Sequence, residues 1–375
     1  VGPHPAALPE LTLRETEADF VCTGDGPLAA ERVLELLQNK NWRWISKANL
    51  KGVCFWDHDN ILMGDSLPNT AVSDMPGGCW DLLPMDRYRA HNHHCLDGSP
   101  RTPYASIYTS LGCSFACQQC MIQTPFRLGD RIRSGGKPVN FYRTWPASHV
   151  AAEVRELVEK YNATTIRIND EMFALNPSHV RDVCGEIIKL GYGDRLNFWT
   201  YARVDTCREE FLSVMREAGV KWLCLGIESG NDDVRDGIDK GEYGYDDIIK
   251  TCERIKRHDI NILANMMVGL PHDSHETMRQ TMRLALEIMP EWLNLYGTLT
   301  YPGAPLWDKM PKEKRNYNWK TYSHHGYEYT PAGNDNLTPT EVLKFRDEAF
   351  EQFFRNESYL DYVTRKFGPR MREQI

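Results

Sequence analysis

The sequence predicts an α/β protein built on a parallel sheet that curls into a partial barrel of six βα units. Three observations carry this. Strand-like and helix-like runs alternate from residue 105 to residue 301. Gly, Pro and Ser stand where those helices would begin and end. The chain, at 375 residues, is long enough for one large barrel and a small second unit.

Residues 1–43 read as the end of an α/β unit. A short apolar strand over 19–23 (DFVCT) runs into Gly24-Asp25-Gly26, and apolar positions 28, 29, 33, 34, 36 and 37 fit a helix with one buried face. Strand, glycine loop and helix form the usual ligand site of an open parallel sheet. So few strands cannot complete that sheet, so its earlier half is expected upstream of Val1. Residues 44–104 are a hairpin and linker: GVCFW from Gly52, a turn at Asp57, Asp59 and Asn60, then Ile61 to Met63, followed by a stretch rich in Pro, Gly, Asp and His.

The barrel spans 105–305. Its strand-like runs are 105–110, 165–169, 196–202, 222–228, 262–270 and 292–301, and its helix-like runs are 148–161, 178–190, 208–218, 245–258 and 275–289. Pro146-Ala147-Ser148 and Asn176-Pro177 mark helix starts, and Gly191 and Gly219 mark helix ends. Such alternation implies parallel strands joined by right-handed crossovers, with chemistry at the strands' C-terminal ends. Residues 306–375 form a helical C-terminal extension. Its helix over 338–354 carries Leu343, Phe345, Ala349, Phe350, Phe353 and Phe354 on one side, suited to covering the barrel or its open edge.

A net charge of -8 argues against a general nucleic-acid binder or a basic membrane patch. No apolar run approaches membrane-spanning length, and the start VGPHPAALPE lacks the features of a secretory signal. Eleven cysteines without paired spacing read as reduced thiols in a cytoplasmic setting.

The stretch ASIYTSLGCSFACQQC, 105–120, concentrates the chemistry. It opens as a strand, breaks at Gly112, and places Cys113, Cys117 and Cys120 within eight residues. Such thiols hold zinc or an iron–sulfur centre, or are inert and buried. A zinc site wants a fourth ligand nearby, yet no Cys or His follows Cys120 until His149. Three ligands leave one metal position open, as a catalytic cluster needs. Elsewhere, His91, His93, His94 and Cys95 look metal-like but read better as an exposed polar linker. His324 and His325 are adjacent and point different ways on any regular element. Cys184, Cys207, Cys224 and Cys252 read as small core residues.

Cys113-x3-Cys117-x2-Cys120 after a first strand, followed by repeated βα units, resembles the radical S-adenosylmethionine (SAM) superfamily. The resemblance covers residues 100–305 and implies a radical SAM barrel in which the three cysteines bind a [4Fe–4S] cluster. The fourth iron would take SAM, whose reductive cleavage gives a 5′-deoxyadenosyl radical. Further strand-end matches imply SAM contacts. Asp170 and Glu171 end the second strand, toward the methionine amino group. Arg203, with Asp205, ends the third. Glu228-Ser229-Gly230 matches the signature near the SAM ribose and carboxylate, and Gly269-Leu270-Pro271 matches the turn near adenine. Tyr301-Pro302-Gly303 matches the turn after the sixth strand. Where the family has an aromatic before its third cysteine, this chain has Gln119.

Each of these residues also has a structural alternative. Glu228 suits a barrel charge paired with an arginine, Asp170 and Glu171 suit helix N-terminal acids, and Arg203 suits an ion pair. The N-terminal piece, with Gly2-Pro3-His4-Pro5, Leu8-Pro9-Glu10 and the 19–26 strand and loop, resembles the end of a Rossmann-like cobalamin-binding domain. Trp80-Asp81-Leu82-Leu83-Pro84 and Tyr88-Arg89 resemble the linker of cobalamin-associated radical SAM enzymes, the group of magnesium-protoporphyrin ester cyclases and B12-dependent methylases. Cobalamin is thus a further cofactor of the resemblance. Its Asp-x-His-x-x-Gly ligand motif is absent here, so its site is incomplete.

The resemblance implies methylation of an unactivated carbon in a small-molecule or lipid-like substrate, with an electron donor such as flavodoxin or ferredoxin and no nucleic acid. Competing readings are oxidative cyclisation or rearrangement, a tRNA methylthiotransferase, which the acidic balance opposes, and a truncated, non-catalytic iron–sulfur protein.

Overall fold

The computed structural model describes residues 1–24, 26–38, 51–67, 69, 71–127, 130, 135 and 141–375. The Asp25 of the N-terminal loop, the start of the hairpin region and part of the segment after the cysteines lie outside the described residues. Two compact units form. One comprises Val1–Pro76, Leu111–Arg143 and Thr300–Tyr317; the other comprises Gly77–Ser110, Thr144–Leu299 and Asn318–Ile375.

In the first unit, helices α1 (Pro3–Ala7) and α2 (Pro9–Glu15) each start on a proline, whose fixed φ and missing N–H suit a first turn. Strand β1 (Phe20–Cys22), helix α3 (Gly26–Gln38) and strands β2 (Val53–Asp57) and β3 (Asn60–Met63) follow. The sheet is antiparallel in the order β1-β2-β3, with Phe20 opposite Phe55 and Cys54 opposite Met63. This differs from the parallel sheet expected for residues 1–43. The 44–63 hairpin supplies β1's neighbour, so the two segments share one sheet across the expected boundary. Strand alternation explains why both faces are covered. Cys54 packs with Leu13 and Val21 on one side, and Phe55 packs with Leu36 on the other.

The second unit holds six parallel strands: β4 (Tyr104–Ile107), β5 (Thr165–Ile168), β6 (Asn197–Arg203), β7 (Val220–Glu228), β8 (Asn261–Val268) and β9 (Trp292–Gly297). They lie side by side in chain order, with β4 and β9 at the two edges. Helices α4 (Ala147–Tyr161), α5 (Pro177–Ile188), α6 (Glu209–Glu217), α7 (Tyr245–Arg257) and α8 (His275–Ile288) fall in the connections, as the alternation predicts. Their ends follow capping chemistry. Asn176 Oδ1 accepts from the Ser178 amide at 3.0 Å, and Ser274 and Thr277 form a capping box. Along β7 the odd residues Leu223, Leu225 and Ile227 are fully buried, and Trp222 and Cys224 are buried among the inner-face residues.

The inner face is sealed at the N-terminal end of the strands by stacked rings. His94 lies flat on Trp199, centroids 3.9 Å apart, and His93 lies on Trp292 at 4.9 Å. Asn197 Nδ2 donates to the His94 carbonyl at 2.8 Å. The histidine stretch is therefore no exposed linker at His94, which is 1% exposed. Burial, with the neighbouring histidine charges, pushes His93 down to about 4 and His94 down to about 2, so both are neutral rings at pH 7. A neutral imidazole stacks on indole without desolvating a charge, which a polarity reading of the sequence misses.

After β9 come α9 (Pro339–Phe354) and α10 (Glu357–Phe367). Helix α9 covers edge strand β9, with Phe354 against Trp292 at 4.9 Å, as the sequence anticipated. Helix α10 stacks Phe367 on Trp222. It is tied down by Glu291, which is fully buried before β9. Glu291 accepts from the Ile262 amide and from Lys366 Nζ, each at 2.7 Å, and from the Tyr362 hydroxyl, while its carbonyl takes the Tyr359 hydroxyl at 3.0 Å. Among the described residues no helix is long and apolar enough to cross a membrane.

Removing a buried carboxylate that serves several donors leaves each of them unsatisfied. Glu291→Ala should lower the unfolding free energy by about 3 kcal/mol, and Glu291→Gln by less. Urea denaturation measures both; an alanine variant as stable as wild type would show that α10 docks without this carboxylate.

Candidate functional site

The cysteine loop begins three residues beyond Ser110 and belongs to the first unit. Gly112 has φ +88, and a Cβ there would stand 2.3 Å from the Phe141 carbonyl oxygen, so only glycine passes this point. The loop then closes on itself. The Gln123 amide donates to the Cys113 carbonyl, and the Cys120 amide donates to the Cys117 carbonyl at 3.1 Å. The segment after β9 braces it: the Leu306 amide donates to the Gln118 carbonyl at 2.9 Å, and Arg127 donates to the Gly303 carbonyl at 2.9 Å. Gly303, in the Pro-Gly turn singled out in the sequence, sits so close to Thr124 that a Cβ would meet its Oγ1 at 2.5 Å.

Cys113 is buried, Cys117 half-buried and Cys120 exposed, and none is in a disulfide. Among the described residues no three His, Cys, Asp or Glu side chains stand together in metal-ligating positions. The thiols share a loop without being drawn into a triad; convergence of thiolates is driven by the metal they bind. As a donor set, three reduced thiols on one braced loop fit an iron–sulfur cluster. Gln119 places a buried Oε1 that has no partner among the described residues.

The strand-end residues lie in the second unit, at the C-terminal edge of its sheet. Asp170 is fully buried just after β5. It accepts from the Thr109 amide at 2.6 Å, the Thr109 hydroxyl at 2.5 Å and the Ser110 hydroxyl at 2.6 Å. Thr109 Oγ1 also meets His179 Nε2 at 2.9 Å. Asp170 thereby fixes the residues that lead out of β4. Burial raises its carboxyl to about 6, against the pull of those donors. Glu171, half-buried, faces Tyr108, whose phenol is raised by burial and then by the Glu171 charge.

Arg203 is 1% exposed and forks onto Asp205, Nε to Oδ1 at 2.9 Å and Nη2 to Oδ2 at 2.8 Å, with a further bond to the Lys240 carbonyl. Glu228 sits in left-handed backbone, φ 66, at a register shift between β7 and β8. Its Oε1 takes Lys240 Nζ at 2.5 Å. The Ser229 hydroxyl packs inward, 3.2 Å from Thr281 Oγ1 on α8, and accepts from the Asn231 amide at 3.1 Å. Gly230 leaves no room for a side chain: a Cβ would stand 2.7 Å from the Gln280 carbonyl oxygen. Gly269, φ +78, turns beneath α9, where a Cβ would clash with both Val342 methyls at 2.7 Å. Pro271 follows in the same turn, half-buried. The strand-end pattern is therefore real as placement, but Asp170, Arg203, Ser229 and Gly269 are committed to internal partners.

Sequence reasoning missed the inner face of the sheet. A cavity of about 860 Å³ opens there, lined by Arg167, Tyr201, Asn265, Asn294, Tyr296 and His324 among others. The available signal was period-two polarity, as in Trp292-Leu293-Asn294-Leu295-Tyr296. Cys224 also lines this space, although it is a small buried core residue as expected.

Residues 107–285 match the family model of the radical SAM superfamily, over the strands and helices just described. That stretch of the chain is a radical SAM domain. More particularly, the chain is 27% identical over 374 residues to an uncharacterized methyltransferase of Pyrococcus horikoshii, covering 97% of this chain and 72% of that one. It is 22% identical over 357 residues to the anaerobic magnesium-protoporphyrin IX monomethyl ester cyclase of Cereibacter sphaeroides, covering 94% of this chain and 54% of that one. Its fold is similar to that of the radical SAM methyltransferase TsrM of Kitasatospora setae, solved with tryptophan and a SAM analogue: TM-score 0.61, 16% identity, 80% of this chain and 55% of that one. The chain thus spans about half the length of the second and third of these.

The Asp170 carboxyl holds its proton more tightly in the fold than its ordinary 3.8. Its stabilisation is full below that value and is lost as pH rises through about 6. The stability of wild type relative to Asp170→Asn should therefore fall between about pH 4 and pH 6.5, read from paired thermal melts; a flat difference would contradict this assignment. Asp170→Ala strands three buried donors and should cost about 2–4 kcal/mol.

Proposed function

We propose that this protein cleaves one SAM reductively to methionine and a 5′-deoxyadenosyl radical, which removes a hydrogen atom from an unactivated carbon of a small-molecule substrate. A second SAM supplies the methyl group placed on that carbon and leaves as S-adenosylhomocysteine, the two electrons required coming from an external one-electron donor. The observation that carries the reading is Cys113-x3-Cys117-x2-Cys120 on the braced loop that follows the first strand of the radical SAM domain. Cys113, Cys117 and Cys120 would hold a [4Fe–4S] cluster with one iron left for SAM. When bound, the cluster supplies the electron that breaks the SAM carbon–sulfur bond. The chain's own residues bind and orient. Glu171 and the Glu228–Lys240 pair are the strand-end side chains assigned to SAM, while Asp170, Arg203, Ser229, Gly269 and Pro271 shape the edge that receives it.

Methylation is supported by the likeness of the chain to methyltransferases of Pyrococcus and Kitasatospora. A second reading, oxidative cyclisation, is favoured by the Cereibacter relative, which aligns over nearly the whole chain. TsrM is also solved with cobalamin and a [4Fe–4S] cluster, at TM-score 0.60. This chain has no Asp-x-His-x-x-Gly run, and its N-terminal sheet is antiparallel, so the residues present do not fit a cobalamin site and methyl transfer is not assigned to one. An electron donor of the flavodoxin or ferredoxin type and a cytoplasmic setting complete the proposal.

Anaerobic reconstitution with iron and sulfide, then SAM and dithionite, should yield 5′-deoxyadenosine. Cys117→Ala should lose the brown charge-transfer absorbance and at least about 100-fold of that activity. A soluble, reconstituted wild type that forms no 5′-deoxyadenosine would refute the enzyme reading, and a substrate product without label from methyl-labelled SAM would favour cyclisation.

A further inference from the structure

We infer that the cavity on the inner face of the parallel sheet takes a polar substrate by an anionic oxygen group, a carboxylate or a phosphate, held by Arg167 beside the paired amides of Asn265 and Asn294. This rests on the reading of the protein as an enzyme acting on a small molecule, and replaces its lipid-like option with a polar, acidic one.

The charges of the cavity decide it. Two carboxylates and two cations reach its lining, and all but one are already answered. Asp347 pairs with Arg346 at 2.5 Å, and Glu351 pairs with Arg355 at 3.3 Å. His324 is pushed down to about 4, by burial first, and His93 and His94 are likewise neutral. Arg167 differs. Among the described residues no carboxylate lies within ion-pair distance of its guanidinium, and its buried Nε has no hydrogen-bond partner. Nη2 donates to the Tyr201 hydroxyl at 2.8 Å.

The geometry is set for a planar acid. The guanidinium lies over the Trp199 ring at 4.6 Å and the Tyr201 ring at 5.1 Å, which fixes its plane. Beyond the bond to Tyr201, the guanidinium has further N–H groups with which to meet an anionic oxygen. Asn294 Nδ2 donates to Asn265 Oδ1 at 3.1 Å. That bond occupies one donor and one acceptor, so Asn265 Nδ2 keeps its donors for the cavity. Arg167, Tyr201, Asn265 and Asn294 come from four different strands, so the polar groups form a belt around the space. An acyl chain threaded through it would desolvate that belt without answering it. A volume of about 860 Å³ suits a ligand of cofactor or drug size.

The test is calorimetric titration of the full chain with benzoate, phenyl phosphate and neutral benzamide, which share a ring and differ in the head group. One of the two acids should bind saturably and at least about tenfold more tightly than benzamide, and which acid wins separates carboxylate from phosphate. Arg167→Gln should weaken that binding about 10- to 100-fold, with Arg167→Lys between. Asn265→Ala, which leaves the charge in place, should weaken it less and guards against a misfolded Arg167 variant. Equal binding of benzamide, unchanged binding in Arg167→Gln, or no saturable binding of either acid would overturn the inference. Wild-type 5′-deoxyadenosine formation is scored apart. SAM cleavage without acid binding removes the anion site and keeps the enzyme; acid binding without SAM cleavage does the reverse.

Discussion

Six strands running the same way put every N-terminal end on one edge and every C-terminal end on the other. That constraint organises the second unit. Its inner face would otherwise be a wet trough, because each edge presents a different problem. The N-terminal edge carries Trp199, Trp222 and Trp292, large rings with nothing from the sheet to cover them. Linker and C-terminal helix meet there from opposite ends of the unit's sequence, His93 and His94 from one and Phe367 from the other. Ring stacks of this kind add about 0.5–1.5 kcal/mol each beyond area burial, and they close the trough into a cavity.

The C-terminal edge is held by polar groups, and each does so through a different element. Asp170 ties the exit of β4 to the end of β5. Arg203 and Asp205 clamp the loop at Lys240 onto the end of β6. Ser229 and Gly230 lock the end of β7 against α8. Gly269 lets α9 approach the end of β8. Buried polar bonds of this sort give little net stability, but an unmade one costs heavily. They therefore specify one arrangement of the edge and resist sliding. The radical chemistry proposed above would need such positional definition, because orientation of the reacting atoms supplies much of the rate.

The sheet was legible because its signals are local. Alternating strand-like and helix-like runs, helix starts at Pro146-Ala147-Ser148 and Asn176-Pro177, and glycines at 191 and 219 fixed strands and helices to within a few residues. The placement of the three cysteines on one loop after the first strand was legible because their spacing is contiguous. What could not be read was partnership. Glu228 looked like a candidate ligand or a partner of arginine, and the fold gives it Lys240 across a loop. His94 looked solvated, and the fold gives it Trp199 from a strand over a hundred residues away. The N-terminal strand looked parallel because strand, glycine and helix follow one another, yet its neighbour is set by the later hairpin. Each failure concerns a contact between distant residues, which pattern and propensity do not encode.

Charge pairing then separates residues that hold the fold from those that face a ligand. Arg203, Arg235 and Lys366 are basic groups in the second unit with carboxylates at 2.8 Å or closer. Their partners lie on nearby loops or helices, and folding itself supplies the counter-charge. Arg167 has rings and hydroxyls where the others have carboxylates. Burying a guanidinium against indole and phenol is tolerable only while water or an anion reaches its remaining N–H groups. A cavity kept open at that point gives room for either, and a fixed fork pays less entropy than a flexible lysine when the anion arrives. The same unit thus carries both kinds of cation: those paired with carboxylates at the edges of the sheet, which define where strands begin and end, and Arg167 on its inner face, which among the described residues has no carboxylate within ion-pair distance.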